Sequence, residues 1–269
     1  MLGSIGVPMA IQWGYCVTCG DAERFKTAGW DYVEENVQGI LQGTVADEQW
    51  TGGATVDKST LPVVAANCLV PGDLKITGPA VNADVLKQYM TAVLKRAAKT
   101  GMTTLVFGSG GARNVPDGFD RAVAKKQIID FLKMAAPIAQ QNGVMLVAEP
   151  LNRGECNIIN SVAEGMEYVT AVGSPNFKCL VDSYHFWLEE EPLSNLVTAM
   201  PSIKHVHLAD KVGRTAPGES GQSDYKPFFK VLKQGGYSGR ISVEASDTGK
   251  THGKEKKILT YLKEQWNAA

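Results

Sequence analysis

No stretch of this sequence is apolar for long enough to span a bilayer, and no stretch concentrates its basic residues. The first absence excludes a transmembrane helix. The second, with a formal net charge of −1, leaves nothing to attract a phosphate backbone, so neither a membrane nor a nucleic acid is an expected partner. Histidine is scarce: His185, His205, His207 and His252, with none before residue 185. Five cysteines in 269 residues are an odd number and too few for a disulfide scaffold, which fits a reducing compartment and predicts a cytoplasmic protein. The N-terminus has no positive region ahead of its apolar residues, so no secretory signal is expected. Internal repeats, low-complexity tracts and inter-domain linkers are also missing, which predicts one unit over residues 1–269.

What is present is an alternation of short apolar runs and amphipathic helices, the pattern of a parallel sheet. It predicts strands over 10–13, 31–36, 62–67, 103–107, 144–148, 178–182, 203–207 and 240–244. A short helix over 21–28 ends at Gly29, and residues 38–60 read as a loop with one short helix. Val85, Leu86, Tyr89, Val93, Leu94 and Ala97 repeat at helical spacing before Gly101. The helix over 120–141 puts Ile128, Leu132, Ala135 and Ala139 on one face, with a kink expected at Pro137. A last helix covers 254–266. Eight strand–helix units give the expected fold: α/β class, a single (β/α)8 TIM barrel.

The last four strands share one peculiarity. Val144 to Ala148 ends in Glu149, and the next three runs end in Asp182, His207 and Glu244, at intervals of 33, 25 and 37 residues. A buried parallel strand has no use for a charge, whereas barrel chemistry sits where strands end. Three carboxylates and one imidazole form an oxygen-rich set suited to Mn²⁺, Mg²⁺ or Co²⁺ rather than to a thiolate-seeking ion. Such a set leaves coordination positions for the two oxygens of a hydroxy-ketone, so the ion can polarise the carbonyl and stabilise an enediolate. Glu149 and Glu244 come from different sides of the ring. A carboxylate on each face of a sugar is what an epimerisation needs, one removing a proton and the other returning it.

The segments Glu149-Pro-Leu-Asn-Arg-Gly-Glu155, Val181-Asp182-Ser-Tyr-His185, His205-Val-His207 and Val243-Glu244 resemble the sugar phosphate isomerase/epimerase family, the xylose isomerase-like barrels that include ketose 3-epimerases and hydroxypyruvate isomerases. The likeness runs from about residue 60 to 250. It implies that Glu149, Asp182, His207 and Glu244 bind a divalent metal, with Mn²⁺ first and Mg²⁺, Co²⁺ or Zn²⁺ as alternatives. It also implies that Glu149 and Glu244 are the catalytic acid and base, that Glu155, His185 and Arg214 bind substrate, and that the chain forms a homodimer or homotetramer. The expected partner is a small sugar or sugar-derived molecule. The expected activity is that of a metal-dependent isomerase or epimerase of a small ketose or related hydroxy-carbonyl compound. The alternatives are a dehydratase or lyase on a keto-inositol, keto-acid or 3-keto glycoside, and a non-catalytic sugar-binding protein. A DNA-repair endonuclease on the same barrel is rejected, because its three-zinc site needs histidines from the early strands.

Other residues have plainer readings. Trp13 is placed at the end of the first strand as a wall for the sugar, with packing as the alternative. His205 shares the parity of His207 and reads as a buried structural histidine one layer below. Arg153 is left unassigned. Cys16-Val-Thr-Cys19 has the spacing of a zinc or redox pair, but no second pair accompanies it. Gly108-Ser-Gly-Gly-Ala-Arg113 resembles a phosphate cradle with Arg113 as counter-charge. It lacks the lysine of a P-loop, so a substrate-facing turn is preferred and no organic cofactor is expected.

Overall fold

The computed structural model describes residues 11–246 and 248–269. Strands β1 (Gln12–Cys16), β2 (Tyr32–Asn36), β3 (Val63–Asn67), β4 (Thr104–Phe107), β5 (Met145–Ala148), β6 (Phe177–Asp182), β7 (Ile203–Leu208) and β8 (Arg240–Val243) form a closed barrel in sequence order. All neighbours are parallel, and β1 closes the ring by pairing with β8. Among the described residues no helix is long and apolar enough to cross a membrane.

The two faces of each strand have different destinations because side chains alternate along it. Outward positions such as Phe107, Leu146, Val206, Ile241 and Val243 join the main core with the surrounding helices. Inside the ring, Val106, Val147 and Leu180 form a separate small apolar plug with Met145 against it. On β5 to β8 the inward residues at or just past the C-terminal ends are Glu149, Asp182, His207 and Glu244, which places the site at that rim.

The helices follow their local signals. The helix Ala83–Thr100 is capped by Asn82, whose side chain accepts from the Val85 amide, and closed by Gly101 at φ 79°. Asp120 caps Arg121–Gln141, whose apolar face buries Ile128, Leu132, Ala135 and Ala139. The structure corrects several expectations. Val85 stays 43% exposed in the first helical turn and is not part of the apolar face. Residues 37–60 hold more than a loop and one helix, with Val37–Ile40, a 3-10 turn Asp47–Gln49, and Gly52–Val56.

The first strand lies later than expected. Its predicted residue 10 falls outside the described residues, and β1 continues through Gly14 to Cys16. Gly14, one residue past the predicted strand end, is a packing requirement inside the barrel. A Cβ there would collide with the Tyr32 ring, whose hydroxyl crosses the barrel floor to Ser242 Oγ at 2.7 Å. Trp13 is therefore an outward residue near the start of the strand. Its ring meets those of Phe229 and Trp266, each at 6.2 Å, in the helical layer, so its placement as a wall for the sugar is withdrawn.

Candidate active site

Glu149 follows β5, Asp182 ends β6, His207 lies in β7 and Glu244 follows β8. One ligand atom from each of these residues lies within 4.8 Å of all the others. His207 Nδ1 faces Glu149 Oε1 at 3.1 Å and Glu244 Oε2 at 3.5 Å. Asp182 accepts from the Tyr184 amide through Oδ1 at 2.7 Å, capping the short helix Ser183–Leu188. Its Oδ2 is buried and has no hydrogen-bond partner among the described residues. A buried carboxylate oxygen without a donor is costly, and three carboxylates gathered around one imidazole are costlier still. The donors are hard oxygens and one nitrogen, converging and under-compensated, so the set fits a divalent cation.

The electrostatics follow from that crowding. Burial pushes Glu149 above the ordinary carboxylate range, and the charge of Glu244 pushes it further. Burial likewise raises Asp182 to about 6, with Arg214 only partly opposing it. For Glu244, burial acts upward but His207 and Arg214 outweigh it and hold the group down at about 2. Burial acts against the charge of His207, yet Glu34 and Glu244 overcome it and raise its pKa well above the ordinary histidine value. Two carboxylates on one site are thus driven in opposite directions.

A second group of residues faces this cluster. Arg214 donates to Glu244 at 2.6 Å and to Glu155 at 3.3 Å, and its guanidinium lies 4.9 Å from the Tyr184 ring centroid. It sits at φ 48°, a strained conformation for a non-glycine residue. Buried Asp210 organises the loop around it, accepting from the Gly218 and Ser220 amides, the Ser220 hydroxyl and the Tyr225 hydroxyl. His185 Nδ1 accepts from the Asn152 amide at 3.1 Å and contacts Asn152 Nδ2 at 2.8 Å. The ring is therefore the Nε2–H tautomer, and burial lowers its pKa, so it is a neutral donor. The other hydrogen of Asn152 Nδ2 goes to Glu155 Oε1 at 3.0 Å. One amide thus positions two neighbours. Above the cluster opens a cleft of about 310 Å³ whose lining includes Gln38, Cys68, Gly108, Leu151, Glu155 and Arg214.

Glu149, Asp182, His207, Glu244, Glu155, His185 and Arg214 thus come to one rim, and Trp13 does not. His205 is fully buried and bonded to Glu34, as its parity predicts. Arg153 pairs with Glu189 on the surface. Cys16 and Cys19 go separate ways: Cys19 Sγ donates to the Thr55 carbonyl, whereas Cys16 reaches the Glu34–His207 pair from the end of β1. The phosphate-cradle reading fails at its cation. Arg113 is fully buried and donates to the Phe107 and Glu149 carbonyls, each at 2.8 Å, which braces the end of β5 from outside the cleft. Glu34, Asn67, Asn152 and Asp210 carry no role in the sequence reading. Asn67, at the end of β3, donates to Glu244 at 2.7 Å.

A closed parallel barrel with an acid-rich rim defines a class of α/β barrel whose chemistry is assembled at strand ends. The chain belongs to the xylose isomerase-like TIM barrel family, whose model matches residues 22–265. It is 28% identical over 180 residues to D-psicose 3-epimerase of Agrobacterium fabrum, covering 64% of this chain and 60% of that protein. It is 27% identical over 132 residues to hydroxypyruvate isomerase of Escherichia coli, covering 48% and 51%. The chain spans about half to three fifths of the length of these two curated relatives. The crystal structure of an E. coli 3-keto-D-glucoside 4-epimerase superposes with a TM-score of 0.75 at 23% identity, covering 95% of this chain and 99% of that one, which bears on the fold.

Proposed function

We propose that this protein is a divalent-metal-dependent isomerase or epimerase of a small ketose or related hydroxy-carbonyl compound. The observation that carries the reading is the convergence of Glu149, Asp182, His207 and Glu244 within 4.8 Å. These four residues would hold the ion. When bound, it supplies Lewis acidity that polarises the carbonyl and lowers the acidity barrier at the neighbouring carbon. Glu149 and Glu244 are the pair that removes and returns the proton. Arg214 and the neutral His185 donate to the oxygens on which enediolate charge develops, and Glu155 accepts from a substrate hydroxyl. The likeness to D-psicose 3-epimerase and hydroxypyruvate isomerase supports this chemistry, since both names describe isomerisation of hydroxy-carbonyl compounds.

The charge of the cleft favours a neutral substrate. Glu149, Glu155 and Glu244 line it, Arg214 is already paired with two of them, and Arg113 is turned into the wall. Among the described residues lining the cleft, a phosphate would meet acids and no uncommitted side-chain cation.

Proton NMR in D₂O, with a panel of ketoses, keto-acids, keto-inositols and 3-keto glycosides, tests the activity. The expected result is deuterium wash-in beside a carbonyl with a new isomer appearing, restored by Mn²⁺ after chelation. Loss of water or a broken glycosidic bond would transfer the protein to the lyases, and silence across the panel would remove the enzymatic reading.

Metal binding should also depend on pH in a defined direction. The His207 pKa is raised by Glu34 and Glu244 above the ordinary histidine value and Asp182 is raised to about 6, so protons compete with the ion for its own ligands. Raising the pH removes the competitor. Mn²⁺ affinity should increase by about tenfold or more between about pH 5.5 and about pH 7.5, with protons released on binding. Calorimetry in two buffers of different ionisation heat measures both, and a flat profile without proton release would show that these groups do not hold the ion.

A further inference from the structure

We propose that Glu34 is a positioning residue for the metal centre: its buried carboxylate grips His207 from below and commits the Nδ1 side of that ring to the ion. The inference rests on the metal-site reading above, and concerns a residue outside the four candidate ligands.

The geometry is specific. Glu34 projects from the inner face of β2, and its side chain and that of His207 are both 0% exposed. Its Oε1 accepts from His207 Nε2 at 3.0 Å. Its Oε2 accepts from Ser242 Oγ at 2.6 Å and from His205 Nε2 at 2.7 Å. The Tyr32 hydroxyl supports Ser242 from the other side at 2.7 Å. The His207 ring therefore stands between two kinds of carboxylate. Nε2 meets Glu34, while Nδ1 meets Glu149 and Glu244. An imidazole that binds a cation through one nitrogen must keep its proton on the other, and a carboxylate acceptor there fixes both tautomer and ring orientation.

Stability alone does not account for Glu34. Elsewhere in the barrel interior, Val106, Val147 and Leu180 show that apolar packing can fill such positions. A buried carboxylate with three donors at best offsets its own desolvation, and an apolar residue of similar volume would do as well or better. What an apolar residue cannot do is hold the proton of His207. Nor do Cys16, Glu34 and His207 make a second ion site, although their ligand atoms also lie within 4.8 Å. Glu34 is committed to three donors, and Cys16 is a half-buried thiol beside a carboxylate. The expected stoichiometry is one ion per chain.

The test is Mn²⁺ binding to metal-free protein by titration calorimetry. Glu34→Gln keeps the shape but replaces a charged acceptor, and should weaken binding by about 10- to 100-fold. Ser242→Ala removes a donor to the same carboxylate without touching His207, and should change affinity by less than about 3-fold. A merely structural role would make the two variants alike. In the Co²⁺-loaded protein, the visible absorption should shift in Glu34→Gln and stay unchanged in Ser242→Ala. If Glu34→Gln does not fold by circular dichroism, Glu34→Asp replaces it, keeping the charge but withdrawing it by one methylene, with a loss of about tenfold or more expected. A folded Glu34 variant that binds within about 3-fold of the unaltered protein, or two ions bound per chain, would overturn the inference while leaving the metal site intact. No binding of Mn²⁺, Mg²⁺, Co²⁺ or Zn²⁺ by the unaltered protein would instead sink the metal-site reading, and this inference with it.

Discussion

Glu149→Gln is expected to stop exchange of the substrate proton with solvent while making the metal-free protein more stable. The two effects have one origin. Glu149 is a buried carboxylate whose charge is disfavoured first by burial and then by Glu244. An amide removes the charge but keeps the size, and its oxygen can still accept from His207 where Glu149 Oε1 now sits at 3.1 Å. Its NH₂ gains carboxylate neighbours as acceptors. Each kcal/mol of relieved repulsion would appear as a rise of about 2–4 °C in the melting temperature of the chelator-treated protein. The amide cannot accept a proton, so exchange and turnover should fall by about 10²–10⁴-fold, the range ordinarily contributed by a general acid or base. Stabilisation by Mn²⁺ should shrink as well, because a ligand is lost. Retained exchange would remove Glu149 from the acid/base role. A lower melting temperature in chelator would mean that its charge is not frustrated in the fold. Sites that bind ions or polarise substrates commonly carry this kind of frustration, and the opposed signs expose it.

How much of this was legible in the sequence follows from the strands themselves. β5 to β8 are short apolar runs that each stop at or beside a charged residue, so their ends are readable to within about one position. β1 was displaced because Gly14 is spaced for the Tyr32 ring across the barrel, a partner that local sequence does not reveal. Glu34 and Glu35 are adjacent acids of the same type, yet Glu34 turns inward to His207 while Glu35 accepts from the Cys19 amide outside. Only strand parity separates them, and the pairing of β2 with β3 slips between Val33 and Glu34. Asn152 lies inside the motif that identified Glu149 and Glu155. Its function is a set of hydrogen bonds across 33 residues to His185, which no spacing encodes. Arg113 failed as a phosphate ligand for a related reason: its bonds run to backbone carbonyls, and those carry no residue identity.

Gly108→Ala should be nearly as damaging as loss of Glu149, although glycine offers no chemistry. Gly108 follows β4 and lines the cleft, and a Cβ placed on it would fall far inside van der Waals contact with Glu149 Oε2. Backbone conformation does not demand glycine there, since Gly108 is absent from the residues with positive φ among those described. The requirement is steric, set by a carboxylate that must occupy that volume. Glu149 cannot yield far, because Arg113 holds its backbone carbonyl and His207 holds its Oε1. A methyl group would therefore rotate the carboxylate out of line with Glu244. A displacement of about 1 Å at a reacting group is enough to lose about 100-fold in rate, so turnover and Mn²⁺ affinity should fall together by that order. Gly72→Ala is the control. It lines the same cleft, but its added Cβ would lie 3.6 Å from the nearest atom, Gly111 Cα, an ordinary contact. It narrows the cleft without touching Glu149, and should leave turnover within about 3-fold of the unaltered protein. Equal losses in both variants would point to cleft width rather than to Glu149. Full activity in Gly108→Ala would mean that the productive position of the Glu149 carboxylate lies away from Gly108.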